Sequence, residues 1–135
     1  MLRRVDADHA LADLVEIASQ IEQAAIVGPD GAVLASTFSD DGRAERFAGG
    51  ARRLVAEAEA AGKARGLSEL GQLEAATVGG SVFVVRDAQR LIAATTKAEP
   101  TVGLVFYDLK HCLRSMEDAP EPKRTTSQKS GDAAA

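Results

Sequence analysis

Ala24-Ala25-Ile26-Val27-Gly28-Pro29-Asp30-Gly31-Ala32-Val33-Leu34-Ala35-Ser36 is the segment from which the fold class follows. Two apolar runs, each too short for a helix, are split by strong turn residues. Pro29 presets its φ and Gly31 can take a positive φ without steric cost. The segment therefore reads as a β-hairpin. Its arms are apolar almost throughout, which predicts strands covered on both faces.

Upstream, from about Asp8 to Gln20, Leu11, Leu14, Val15, Ala18 and Ile21 recur at three- and four-residue steps. That is the stripe of an amphipathic helix, with Asp8 as its expected N-cap. Downstream, Ser39-Asp40-Asp41-Gly42 opens a second helix, rich in Ala, Glu, Arg and Lys, that runs to about Arg65. Asp40-Asp41 reads as a solvated cap rather than a cation site. The stripe of this helix is Ala44, Phe47, Ala48, Ala51, Leu54, Val55 and Ala58, and Glu59 and Lys63 stand in the favourable i, i+4 order. Gly62 and Gly66 close the helix. Gly49-Gly50 lies mid-helix at a cost of about 1 kcal/mol per glycine relative to Ala, which suits a surface that another body packs against.

The remainder reads as a meander followed by a helix. Gln72–Val78 is a strand with one solvated face, Gly79-Gly80 a tight turn, and Ser81–Arg86 the most strand-like segment and a central one. Asp87-Ala88-Gln89 turns the chain into Arg90–Thr96. Pro100 suits the first turn of a last helix, whose buried stripe is Val102, Val105, Leu109, Cys112, Leu113 and Met116. The order αββαβββα then calls for a five-stranded sheet with helices on both faces.

A length of 135 residues amounts to one domain, here 1–118. Residues 119–135 hold no large apolar side chain and are expected to be a flexible tail, made mildly basic by Lys123, Arg124 and Lys129. With 4% aromatics the core must be aliphatic, and a net charge of −4 argues against nucleic acid, whose phosphates reward basic surface. No apolar run approaches the roughly 20 residues of a membrane span. Asp6 and Asp8 interrupt any signal core after Arg3-Arg4, and the single cysteine cannot form an internal disulfide, so a cytoplasmic protein is expected.

Little in the sequence points to catalysis. His111 and Cys112 are adjacent on a helix, about 100° apart, so they do not face each other; Cys112 falls on the apolar stripe and reads as packing. Two histidines and one cysteine cannot fill a four-ligand zinc site without carboxylates. A nucleophile elbow is missing, and Gly79-Gly80 is not followed by the Gly-Lys-Ser/Thr of a phosphate loop. The expectation is a non-enzyme with no catalytic residue, cofactor or metal. Arg43, Arg46, Arg52 and Arg53 give the second helix a basic flank, either a solvated face or one that steers an acidic partner.

The hairpin, the strand pair around Gly79-Gly80 and the run Pro100-Thr101-Val102-Gly103-Leu104-Val105 follow one another between Asp8 and Met116 as they do in the roadblock, or dynein light-chain roadblock, family, which this chain resembles. The resemblance implies a profilin-like α+β fold in α/β/α layers. Its antiparallel sheet would have the order 2-1-5-4-3, with helix 2 on one face and helices 1 and 3 on the other. It also implies a homodimer, made by pairing the second helices and joining the third strands edge to edge. The implied role is to regulate or scaffold a Ras-like small GTPase, or to serve in a motor or signalling complex; the short chain with its Ala/Arg/Glu-rich helix resembles bacterial members.

On that basis the dimer interface is expected at Phe47, Gly50, Ala51, Leu54, Val55, Ala58, Leu73, Ala75 and Thr77, with partner contacts at Arg46, Arg53, Glu57 and Ala61. The alternative is a small-molecule sensory domain, which needs a pocket between sheet and helix lined by polar groups among apolar ones.

Overall fold

Residues 5–67 and 69–116 are described by a computed structural model. The elements are α1 (Ala7–Ile17), β1 (Ile21–Val27), β2 (Val33–Ser36), α2 (Asp41–Lys63), β3 (Gln72–Ala76), β4 (Gly80–Asp87), β5 (Arg90–Lys97) and α3 (Val102–Ser115). All strand pairs are antiparallel and the sheet order is β2-β1-β5-β4-β3. The expected boundary at 118 and the tail 119–135 lie outside the described residues.

Period-two alternation assigns the two faces. Ile26 opposes Ile92, and Phe83 opposes Ala94. These side chains join Leu11 and Leu14 of α1 and Val105, Leu109 and Leu113 of α3 in one buried cluster. The intervening residues Val27, Val84, Leu91 and Ala93 point the other way and meet Ala48, Ala51 and Val55 of α2. Helices 1 and 3 thus cover one face and helix 2 the other, which is the cover the apolar hairpin demanded. Phe83 and Phe106 meet edge to face, centroids 5.0 Å apart, within the first cluster.

Several boundaries differ from the sequence reading. The N-cap of α1 is Asp6, not Asp8: its Oδ1 accepts the His9 N–H at 2.9 Å. The helix ends at Ile17 and Ile21 belongs to β1, while Val15 lies off the buried stripe of Ala10, Leu11 and Leu14 and is half-exposed. Pro100 precedes the N-cap Thr101 instead of lying in the first turn of α3. The Thr101 N–H donates to Gln20 Oε1 at 2.7 Å. Val102 is correspondingly only part-covered.

β3 stops at Ala76, and Val78 stands fully exposed at the turn tip while Thr77 closes on Gly80. Gly80 is needed for close approach rather than for turning. A Cβ there would lie 2.3 Å from the Thr96 carbonyl oxygen. Gly66 does end α2 as expected, at φ +75. The Leu67 N–H reaches back to the Gly62 carbonyl and the Gly66 N–H to that of Lys63, the Schellman pattern.

Candidate interaction surface

α2 carries two adjacent seams. Its cap is Asp40, whose Oδ1 accepts the Gly42 N–H at 2.8 Å. Ala44, Ala48, Ala51 and Val55, at steps of four and three, are buried against the sheet. Ala51 and Val55, expected at a dimer contact, are buried in their own chain, and of the two Ala51 also lines the adjoining groove. A stripe of seven positions is wider than one contact line, and these two fall on its inner side.

The neighbouring seam, Phe47, Gly50 and Leu54, is left partly open, with Leu54 38% exposed. Together with Arg46, Arg53, Glu57 and Val82 of β4 it lines a groove of about 570 Å³. A Cβ placed on Gly50 would meet nothing within 4 Å. Phe47 is steadied by Phe38, centroids 5.3 Å apart, and the Arg43 guanidinium stands 5.6 Å from the Phe38 ring. Arg43 is thus engaged within the chain, while Arg46 and Arg53 border the groove.

The sheet continues this surface to its edge. Leu73 opposes Val84 and Ala75 opposes Val82. Directly opposed residues share a face, so the β3 pair lies on the α2 side, each half-buried. Beyond β3 the sheet has no further strand among the described residues. The structure brings Phe47, Gly50, Ala51, Leu54, Leu73 and Ala75 to one side, and Arg46, Arg53 and Glu57 line the same groove. Ala58, Ala61 and Thr77 do not line it. Thr77 lies past the strand and its hydroxyl donates to the Gly80 carbonyl at 2.6 Å. The sequence reading missed Val82, which the alternation with Val84 would have placed on this face.

Glu59, placed with Lys63 by its i, i+4 spacing, has other partners in the structure. Its carboxylate takes the Leu70 N–H at 2.9 Å and the Arg86 guanidinium, not Lys63. The Leu70 N–H first, and then Arg86, hold this carboxyl below the usual glutamate range. The contact ties the segment after α2 to the end of β4. Beside it a cavity of about 200 Å³ opens between α2 and the sheet, bordered by Arg52, Glu59, Arg86 and Gln89 with Val27 and Leu91. It has the polar-among-apolar lining a sensor needs, but falls below the roughly 300–1,000 Å³ of ordinary ligand pockets.

Cys112 is buried, its Sγ 3.5 Å from the Ala10 carbonyl oxygen, and burial pushes its thiol up to about 12. His111 stacks on Tyr107 instead, centroids 6.3 Å apart. Among the described residues no group of three or more His, Cys, Asp or Glu is placed to hold a metal ion, and no helix is long and apolar enough to cross a membrane.

A β2-β1-β5-β4-β3 antiparallel sheet with one long helix on one face and two on the other defines a profilin-like α+β protein, here with an open apolar seam beside a strand edge. Within that class the Roadblock/LC7 domain family model matches residues 8–97, and the chain belongs to this family. No curated protein matches it.

Solved structures share the fold. A Roadblock/LC7 domain from Streptomyces avermitilis aligns with a TM-score of 0.73 at 20% identity, covering 82% of this chain and 93% of that one. The gliding protein MglB from Thermus thermophilus gives 0.62 at 17%, covering 82% and 84%. A structure of MglB in a tetrameric arrangement gives 0.67 at 15%, covering 78% and 81%.

Proposed function

We propose that the chain is a non-catalytic homodimeric interaction module that binds, and regulates or scaffolds, a Ras-like small GTPase or a related signalling assembly. One observation carries the reading: the half-open seam Phe47–Gly50–Leu54 runs into the edge of β3, beyond which no strand lies among the described residues. An open edge is a surface that proteins cover or blunt, and on the α2 side this one carries Leu73 and Ala75, its one charge, Glu74, falling on the other face. A symmetric twin covers seam and edge together. The self-assembly of one structural neighbour, MglB in its tetrameric arrangement, supports association as the first step.

Arg46 and Arg53 border the groove and give the composite surface a basic rim, whose charge speeds encounter and selects acidic partners. Regulation of a GTPase requires only that this surface bind one nucleotide state better than the other.

Sedimentation equilibrium at tens of micromolar should give a dimer mass for the wild type and a monomer for Leu54→Arg, with the far-UV spectrum unchanged. A wild-type monomer at that concentration would sink the reading. Affinity capture from the native host, with GTP or GDP analogues added, should retain a Ras-like GTPase in one nucleotide state, and an Arg46→Glu/Arg53→Glu bait should lose it. Absence of any GTPase from both captures refutes the partner assignment while leaving the dimer standing.

A further inference from the structure

The α1–α3 face lies across the sheet from the seam discussed above, and it holds a carboxylate that the fold does not account for. α1 and α3 run antiparallel: the Val5 N–H donates to the Ser115 carbonyl at one end, and Thr101 meets Gln20 at the other. Between them is a groove of about 180 Å³, lined by Asp13, Glu16 and Ile17 from α1 and by Asp108 and His111 from α3, among others. Asp108 is only 9% exposed. No hydrogen bond or ion pair reaches its carboxylate from the described residues. A buried charge without a partner costs stability, and native structures rarely leave one so. Desolvation raises its pKa, and the charge of His111, one turn along, offsets this only in part.

Around this carboxylate the surface is unusually apolar. Ile17 is 64% exposed, Tyr107 62% and Leu104 49%. Leu104 precedes Asp108 by four residues and shares its side of α3, while Tyr107 stacks on the groove residue His111. The groove has the size of one large side chain rather than of a small-molecule pocket.

We propose that the α1–α3 groove is a docking site for a basic amphipathic segment of a protein partner, one lysine or arginine of which enters the groove to meet Asp108. Charge complementarity selects this occupant. Three carboxylates line the groove beside the single histidine His111, and no hydrogen bond or ion pair from the described residues reaches the innermost, Asp108. A lysine or arginine stem lies along apolar surface such as Ile17 while its head group satisfies a carboxylate, and a charge-assisted bond of this kind is among the stronger ones. The exposed Leu104 and Tyr107 would receive the apolar residues of the same segment, one turn away, in the helix-in-groove manner. This inference goes beyond the GTPase reading and does not depend on it, because the two surfaces lie on opposite faces of the sheet.

The test uses the full chain and a fluorescein-labelled amphipathic peptide of leucine and lysine, with its leucine–glutamate counterpart as control. Polarisation should show saturable, salt-sensitive binding of the lysine peptide alone, with amide shifts centred on Asp13, Ile17 and Asp108. Asp108→Asn should weaken binding about tenfold or more, as loss of one partner of a buried charge pair does, while raising the melting temperature of the free protein. Asp13→Asn and Glu16→Gln, at exposed positions, should each weaken it about two- to threefold through the loss of a rim charge.

No binding, equal binding of the glutamate peptide, shifts centred on α2, or an unchanged affinity in Asp108→Asn would each overturn the proposal. So would a fall in the melting temperature of Asp108→Asn, which would make the carboxylate a structural one. A loss of dimer mass in that variant would assign the groove to a self-contact instead, again overturning it.

Discussion

Gly50 offers the sharpest probe of what covers α2. Within a single chain a Cβ at Gly50 meets nothing within 4 Å, and at Gly49 the nearest atom is Arg53 Nη1 at 3.9 Å. Both positions lie inside the helix, where Gly→Ala gains about 0.8–1 kcal/mol from propensity. A monomer should gain that amount at either site, a rise of roughly 4 °C in Tm for a domain of this size. A twin helix seated on Gly50 changes the sign at that site alone. Helices pack with axes about 8–10 Å apart, and a methyl added to a filled contact costs about 1–3 kcal/mol. Symmetry brings two such methyls, so the dimer should lose at least about 2 kcal/mol, roughly thirtyfold in its dissociation constant. Sedimentation equilibrium and urea titrations at two protein concentrations would separate the terms, with Gly49→Ala as the control. If both variants gain stability equally and neither alters the dissociation constant, nothing packs closely on Gly50 and the seam is not a helix contact.

Two further outcomes follow from the fold. The Glu59 carboxyl titrates below its unfolded value, so the unfolded chain binds the extra proton. The stability Glu59 contributes is complete above the ordinary glutamate pKa of about 4.3 and is lost as pH falls through the lower folded value. Glu59→Gln should therefore flatten the acid limb of the Tm profile, and an acid limb as steep as the wild type's would mean the Leu70 and Arg86 contacts carry nothing. At the β3–β4 turn, Gly79→Ala should be nearly neutral because its Cβ meets open space, whereas Gly80→Ala drives a methyl onto the Thr96 backbone and should cost about 2–3 kcal/mol by denaturant titration. Equal effects at the two glycines would refute close approach as the reason for Gly80.

The sheet was legible because its residues obey one short rule. The runs Ala24–Val27 of β1, Val82–Val85 of β4 and Leu91–Ala94 of β5 are apolar throughout, and period two then sends Ile26, Phe83 and Ile92 to one face and Val27, Val84 and Ala93 to the other. Helix ends were less legible. Asp6 and Asp8 are equally good caps by type, and only the folded contact of Asp6 with the His9 N–H distinguishes them. Glu59 and Asp108 were out of reach for another reason. The Arg86 partner of Glu59 lies 27 residues away, and Asp108 is buried by α1 from across a groove, which no periodicity within α3 can signal.

The second helix holds the most informative mismatch. The sequence grouped Ala44, Ala48, Ala51 and Val55 with Phe47 and Leu54 on one apolar stripe, and the structure divides them by size. Three alanines and one valine face the chain's own sheet, while the leucine, the phenylalanine and the open backbone of Gly50 face the groove. A domain that had only its own core to fill would do the reverse, since a buried Leu or Phe contributes about 1.5–3 kcal/mol and a buried Ala far less. Small residues inward let α2 sit close to the sheet, which leaves Phe47 and Leu54 at the level of Val82 and of the β3 edge. The side chains with the most to gain from burial are thus the ones the described residues leave half-covered, and a second copy seated on the seam would complete their burial.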